Sequence, residues 1–429
     1  DARDRIQTVN TAIFRVADKN SRSRAIDLDA DQLVNTIVEK FAMVAIDHDA
    51  DCDPELFQRT YHKLVADSNE RHYAERFDGA DIENNPTWHT IHFSIKSTLK
   101  PMNYTKSTSP YATGQGIASM NLMATTRAIF FARLLTKVFW AKMRCDPNVA
   151  IFTDDGLSIK EFLDKLAPFA HQAEVMGMIQ IILDAVTMDK GQGALEERIV
   201  VRVLARVTGC PVEIVQETFD WIHNCKLEFK DMTTDYKFQN SSGNWFTKII
   251  NEILMLAFFI YLFDWSGPIV IVVKGDDEKI DTLNATFSNE RWTVMKRYTS
   301  VGIVVCGYGP NEFCGFLVFE GTMVPNYWRV ATRFAGKHLV DYEHFKEYQQ
   351  SLIDLVKFTR QIGREKCIVG LTYYLSSNET DMVSYDECEM LVDSVIAWAY
   401  ARRATYERFF VHREWVRPTN TSLGMQFVL

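Results

Sequence analysis

The 429-residue sequence lacks several signatures that would each have settled a class. It has no C-x-x-C pair: its eight cysteines stand singly at 52, 145, 210, 225, 306, 314, 367 and 388. That scatter excludes the spacing of a zinc site or of a disulfide framework, and we read the cysteines as reduced thiols of a cytosolic setting. No apolar run is long enough to cross a bilayer; the best candidate, Ile253 to Phe263, stops at Asp264. No signal-peptide pattern is visible, since Asp1 opens a polar, charged segment. An initiator Met is also missing, from which we expect a piece of a longer chain. Internal repeats and low-complexity stretches are absent. So is a positive net charge: the formal value of −9 argues, taken alone, against a nucleic-acid binder.

One local absence points the other way. From Ile91 to Cys145 there is no Asp or Glu, while Lys96, Lys100, Lys106, Arg127, Arg133, Lys137, Lys142 and Arg144 fall in the same stretch. An acidic protein with one purely basic segment of that length has a surface suited to phosphate. A plain solvated basic face fits equally well at this stage.

The pattern predicts an α+β chain rather than a regular βαβ array. Residues 1–90 are polar and helix-prone, broken by Gly79 and Asn85-Pro86. Residues 91–117 read as irregular or extended, and Ala118 to Arg144 as one long helix. Met176 to Leu183 is an apolar run ending at Asp184, the mark of a buried strand. Ala194, Leu195, Ile199, Val203 and Val207 recur at helical spacing, and Gly209 and Pro211 stop that helix. Ile249 to Phe263 is helical and strongly apolar. Pro268 to Val273 is a β-branched strand that runs into Gly275-Asp276-Asp277. Trp292 to Met295 and Val301 to Cys306 read as strands, and Phe313 to Phe319 followed by Gly321 as a hairpin. Tyr342 to Thr359 and Tyr385 to Phe410 read as helices.

The sharpest local signal is Lys274-Gly275-Asp276-Asp277 after a buried strand. Paired carboxylates at a strand end concentrate negative charge that a divalent cation would neutralise. Gly-Asp-Asp is also ordinary turn chemistry, so alone it is weak. A second strand ends in an acid, in Asp184-Ala-Val-Thr-Met-Asp189. Nucleotidyl transfer uses two metal ions about 3.5–4 Å apart, held by carboxylates from neighbouring strands. Asp184 and Asp276 are placed for that if their strands pair. Asp184 could instead cap the helix that follows, although Asp189 or Lys190 stands nearer its start. Between the acids, Ser242-Gly243 precedes a helix on which Thr247 and Asn251 fall close together. That group could hold a nucleotide's ribose and its templating base, or be no more than a capped helix.

These pieces occur in one order, and in it the sequence resembles the RNA-dependent RNA polymerases of alphavirus-like positive-strand RNA viruses, nearest the hepevirus and benyvirus branch. The resemblance covers roughly residues 91–337. The first palm motif reads Asp184 to Asp189, then Lys190-Gly191-Gln192, with Gly191 an unusual residue that predicts a looser turn. The second, S-G-x-x-x-T-x-x-x-N, reads Ser242, Gly243, Thr247 and Asn251 with each spacing kept. The third is Gly275-Asp276-Asp277. The fingers motif reads Lys96, Lys100, Lys106, Gly114-Gln115-Gly116-Ile117 and Arg127. A late segment, a lysine-bearing strand and then a hairpin, reads Lys296, Phe313-Cys314-Gly315-Phe316 and Arg333-Phe334-Ala335-Gly336.

The resemblance implies a right-hand polymerase of fingers, palm and thumb, with an antiparallel palm sheet flanked by helices. Fingers would span 1–175, with a basic nucleotide-entry segment at 91–145, and an insertion at 210–240. The palm would take 176–209 and 241–337, and the thumb 338–429. It implies two Mg²⁺ or Mn²⁺ ions on Asp184 and Asp276 with Asp277 in support. Asp189, Ser242, Gly243, Thr247 and Asn251 would select the ribonucleotide. Lys96, Lys100, Lys106 and Arg127 would grip the triphosphate, and Lys296 would protonate pyrophosphate. Arg333 would touch primer or template phosphate. Template and nascent RNA, ribonucleoside triphosphates and other domains of a replication polyprotein are the implied partners. Host cytoplasm, at membrane-associated replication complexes, is the implied place. A reverse transcriptase, a silent palm-fold RNA-binding scaffold, and an unrelated metal protein with a Gly-Asp-Asp turn are the alternatives; the last predicts that Asp184 and Asp276 lie far apart.

Overall fold

A computed structural model describes residues 27–49, 90–95, 116–120, 122–186, 188–229, 232–237, 246–305, 312–319, 322–335, 339, 341–378 and 383–407. In chain order the first elements are α1 (Leu28–Ala45), β1 (Thr90–Ile95), β2 (Gly116–Met120), α2 (Leu122–Ala141), β3 (Val149–Phe152), α3 (Ile159–Val175) and β4 (Ile179–Val186). Then come α4 (Met188–Gly191), α5 (Ala194–Thr208), α6 (Val212–His223), β5 (Asn224–Phe229), β6 (Met232–Lys237), α7 (Thr247–Leu262) and β7 (Phe263–Trp265). They are followed by β8 (Ile269–Lys274), β9 (Asp277–Thr282), β10 (Ala285–Phe287), α8 (Asn289–Met295) and β11 (Gly302–Val305). The last are β12 (Glu312–Phe313), β13 (Phe316–Phe319), β14 (Thr322–Pro325), α9 (Tyr327–Ala335), α10 (Tyr342–Ile362), α11 (Arg364–Asn378), α12 (Tyr385–Ala399) and α13 (Arg403–Tyr406). The class is α+β, as the pattern predicted.

Contacts divide the chain into two compact units, one drawn from 1–97, 104–155 and 183–305, the other from 98–103, 156–182 and 306–429. The first is built around α7. Every residue from Ile249 to Leu262 on this helix is buried; apart from Asn251 and Glu252 near its start the helix is apolar on all sides, so it serves as the core itself rather than one face of it. Helix α1 packs on it and on α5. The Asp27 carboxylate caps α1 by accepting from the Ala30 N–H at 2.8 Å, and Leu33, Val34, Ile37, Val38, Phe41 and Ala45 form its buried stripe. Helix α5 starts where Glu196 accepts from the Gly193 N–H at 2.8 Å and ends at Gly209, whose φ of 71° suits a residue without Cβ.

The central sheet runs β11-β4-β9-β8-β3. The β11–β4 and β8–β9 pairs are antiparallel, but β3 lies parallel to β8. The expected antiparallel sheet therefore carries one parallel edge. A second sheet, β2-β1-β5-β6, joins strands of the basic segment to the hairpin after α6.

The second unit holds the β12-β13-β14 sheet and the C-terminal helices. Its core includes Leu317, Val324, Tyr327, Leu371 and Val392, with Phe334 stacked on Trp398 at 5.5 Å. The expected hairpin is present: Cys314 and Gly315, both at positive φ, turn β12 into β13.

Several expectations need correction. Tyr385 to Phe410, expected as a helix, is helical only to Ala399, and a separate short helix follows at Arg403–Tyr406. Trp292 to Met295 is part of helix α8, whose start is fixed by the Ser288 hydroxyl accepting from the Arg291 N–H. The long helix predicted from Ala118 begins only at Leu122, because Gly116–Met120 pairs with β1 as a strand. Helix α11 went unread: Cys367, Ile368, Leu371 and Leu375 line its buried side.

Candidate active site

Strand β4 is buried on both faces from Ile181 to Leu183; Asp184 is exposed, and Ala185 is buried again. Its antiparallel neighbour on one side is β11, with Asp184 opposite Val304. On its other side is β9. The strand bearing Asp184 is thus hydrogen-bonded not to the strand that runs into Gly-Asp-Asp but to the one that leaves it, beginning at Asp277.

The turn itself is a two-residue hairpin loop. Lys274 pairs with Asp277, leaving Gly275 and Asp276 at the tip. Gly275 has φ of +65°, and a Cβ there would meet nothing within 4 Å, so the backbone conformation rather than space requires glycine. Asp276 is exposed and Asp277 half-buried. Buried Val270 to Val273 anchor the incoming strand.

The first and second motifs are joined directly. Gln192 Nε2 donates to Asn251 Oδ1 at 2.8 Å, and both side chains are buried. Thr247 opens α7, and Asn251 follows one turn later. Gly191, expected to loosen its turn, does the opposite. A Cβ at this position would come within 3.0 Å of the Ser300 carbonyl and of Val301 Cα, so glycine lets two backbone segments touch.

Sequence reading missed the loop after β3. Because β3 is parallel to β8, with Phe152 level with Val272, Thr153-Asp154-Asp155 emerges beside Gly-Asp-Asp. Asp154 accepts from Lys248 Nζ at 2.7 Å and from Lys274 Nζ at 2.6 Å. Lys248 also reaches Asp155 at 3.3 Å and Glu252 at 3.6 Å. Burial opposes the Asp154 charge, but the two lysines outweigh it and hold its pKa below the ordinary value. Glu252, fully buried on α7, accepts from the Thr153 hydroxyl at 2.9 Å and, at the long limit of 3.5 Å, from the Gly275 N–H. Burial lifts its pKa to about 7, and Glu278, next to the turn, is lifted by burial to about 8. The overlooked signal was Val149–Phe152 followed by Thr-Asp-Asp-Gly, the same strand-then-paired-acids pattern as at Gly-Asp-Asp.

Other predicted residues are placed less fully. Lys296 is exposed at the end of α8, not on a strand, with Nζ 5.2 Å from the Trp292 ring centroid. Arg333 is exposed in α9. The backbones of Asp189 and Arg127 lie in α4 and α2, and their side chains are outside the described residues. Lys96, Lys100, Lys106, Ser242 and Gly243 lie outside the described residues altogether.

No three His, Cys, Asp or Glu side chains among the described residues are grouped to hold a metal ion. The donor set nonetheless suits Mg²⁺ or Mn²⁺. These are hard cations that typically bind one or two carboxylates and complete their shell with water and substrate phosphate, not with an all-protein cage. Exposed Asp276 and Asp184, on adjoining parts of one sheet, are of that kind. Among the described residues, cysteines 145, 210, 314, 367 and 388 form no disulfide, and no described helix is long and apolar enough to cross a membrane.

A sequence model of the family described as RNA dependent RNA polymerase matches residues 4–395. The chain belongs to this family and is by family an RNA-directed RNA polymerase. Among curated proteins, the replicase of Beet necrotic yellow vein virus (isolate Japan/S), a benyvirus, is 24% identical over 336 residues. The aligned region is 77% of this chain but 15% of that replicase, so the chain spans a small part of its relative's length. Among solved structures, the Sicinivirus 3Dpol RNA dependent RNA polymerase superposes with a TM-score of 0.48 at 14% identity, covering 94% of this chain and 92% of that one. The resemblance read from the motifs agrees with the family and with the benyvirus relative.

Proposed function

We propose that this chain is the catalytic core of a viral replicase that copies an RNA template from ribonucleoside triphosphates by two-metal-ion nucleotidyl transfer. One observation carries the reading. In a chain of this family, the sheet sets the Asp184 strand directly beside the hairpin that presents Asp276 and Asp277.

Asp184 and Asp276 would hold the metals, with Asp277 in support. Two Mg²⁺ or Mn²⁺ ions there would supply acidity to a 3′-hydroxyl and charge compensation to the triphosphate. The chain's own residues then do the positioning. Thr247 and Asn251, the latter oriented by Gln192, would meet the ribose 2′-hydroxyl together with Asp189, Ser242 and Gly243. Lys96, Lys100, Lys106 and Arg127 would hold the triphosphate while the 3′-oxygen bonds to the α-phosphorus and the bond to pyrophosphate breaks. Lys296 would return a proton to pyrophosphate, and Arg333 would meet a backbone phosphate of template or primer. We further propose the fingers, palm and thumb division at 1–175 with 210–240, 176–209 with 241–337, and 338–429, action within a larger polyprotein, and a place at membrane-associated complexes in the host cytoplasm.

The test is nucleotide incorporation on an RNA template with Mg²⁺ or Mn²⁺, parent against Asp276→Ala. We expect incorporation by the parent and a loss of at least about a hundredfold in the variant, the scale on which removing one transition-state electrostatic contact is felt. Equal incorporation by both would refute the assignment of Asp276. Copying of a DNA template in preference to RNA would refute the RNA-template reading, and preference for deoxyribonucleotides would refute the ribose reading.

A further inference from the structure

The cluster of Asp154, Lys248, Glu252 and Lys274 has no part in the roles above. It nonetheless touches both halves of the site. Lys274 is the residue before Gly275, and Asp154 grips its ammonium at 2.6 Å. Lys248 follows Thr247 at the start of α7, and the same Asp154 grips it through the other carboxylate oxygen at 2.7 Å. Glu252, the residue after Asn251, reaches the Gly275 N–H from below at 3.5 Å and is itself held by Thr153. A single carboxylate thus bridges the strand that delivers the Gly-Asp-Asp turn and the helix that begins with Thr247. The parallel β3–β8 edge is what brings it there, since parallel neighbours end on the same side of a sheet.

We propose that Asp154 is a positioning residue. Together with Glu252 it fixes the Gly275-Asp276-Asp277 turn relative to the first turn of α7, setting the distance between the carboxylates that hold metal and the side chains that read the ribose. This rests on the polymerase reading for its consequence in catalysis, but its geometric content does not. Asp154 is well suited to the task. Its side chain is only 20% exposed and so is held in place, while its partners Lys248 and Lys274 are 38% and 40% exposed. Its charge is matched by cations on both of the elements it joins, Lys248 on the helix and Lys274 on the strand. An exposed ion pair would contribute little; one that fixes the geometry of metal-holding groups acts by orientation. Loss of such supporting contacts typically costs about 10- to 100-fold in metal affinity or activity.

The experiment compares the full chain with Asp154→Asn, Asp154→Glu, Lys274→Gln and the double variant Asp154→Asn with Lys274→Gln. Mn²⁺ affinity is read from the electron paramagnetic resonance signal of the free ion. Single-nucleotide incorporation is measured with ATP and with dATP. We expect Asp154→Asn to weaken Mn²⁺ binding and to lower kcat for ATP by about tenfold or more, with KM changed far less, and to narrow the preference for ATP over dATP. Lys274→Gln should add little on top of Asp154→Asn, because the two act through one contact. Asp154→Glu, which keeps the charge, should recover part of both losses. Circular dichroism and thermal midpoints separate these effects from unfolding. If Asp154→Asn misfolds, Lys274→Gln, on the more exposed partner, decides by the same readouts. Unchanged Mn²⁺ affinity and kcat in a folded variant would overturn the proposal. A parent that binds Mn²⁺ but incorporates nothing would count against the polymerase reading alone, and the Mn²⁺ affinities of the variants would still decide the role of Asp154.

Discussion

Glu278 offers the most direct test of the local physics beside the turn. Its side chain is wholly buried on β9, and neither carboxyl oxygen has a hydrogen-bond partner among the described residues. Burial alone raises its pKa from the ordinary 4.5 to about 8. The sign follows from linkage: the folded chain binds this proton more tightly than the unfolded chain, so stability falls as pH rises between the two values. Below pH 4.5 the contribution is fully present; above about 8 it is gone. At about 1.4 kcal/mol per pH unit the loss is on the order of 5 kcal/mol, an upper bound because a charged buried group draws in water. Glu278→Gln keeps the shape and cannot ionise. The assay is urea unfolding of parent and variant side by side in EDTA from pH 5 to pH 9, so that every other titration cancels in the difference. The difference should be smallest at pH 5, less than about 1 kcal/mol, and widen toward pH 8 in favour of the variant. Parallel curves would show that Glu278 is paired or hydrated and would refute the reasoning.

The remaining expectations concern packing. Gly191→Ala should destabilise by about 1–3 kcal/mol, the usual cost of overpacking a site that cannot move, because the obstacle is the backbone at Ser300 and Val301; thermal unfolding reads it. Gln192→Ala should cost about 1–3 kcal/mol by leaving Asn251 Oδ1 without the donor at 2.8 Å, and it should narrow ribonucleotide preference as well, which a merely structural contact would not do. Arg364→Ala removes a two-pronged contact to Asp393 and Glu389 between α11 and α12, yet these groups are substantially exposed. We expect no more than about 1 kcal/mol, shrinking further in high salt.

Where the sequence was legible, one physical rule dominated the local choice. A β-branched run with no polar break could only be a buried strand, and β8 is one. Helix α5 was framed by its own stop, Gly209. Helix α7 was announced by its unbroken apolar run from Ile253 to Leu262. The Cys314-Gly315 turn lay between Phe313 and the apolar run Phe316 to Phe319. The failures came where two rules competed. Trp292, Thr293 and Val294 favour a strand by side-chain shape, but the Ser288 cap and Asn289-Glu290 start a helix that tertiary packing completes. At Gly191 the sequence pattern suggests a loose turn, whereas the glycine serves the close approach of Ser300 and Val301. The bridge from Asp154 was out of reach because it depends on which strands are parallel, and nothing along the chain states that.

The parallel edge also sets a timetable for the growing chain. Val149 in β3 has its partner at Ile269, 120 residues later. The sheet lacks its other border until β11, ending at Val305, has been made. At the ~5–20 residues per second of synthesis, β3 waits several seconds or more with an unpaired edge. Truncations that end before residue 305 leave β4 without that neighbour, exposing the backbone row that invites pairing with another chain. Fragments cut between the two motif-bearing strands should therefore accumulate as aggregates, whereas chains that reach β11 can close the sheet on themselves.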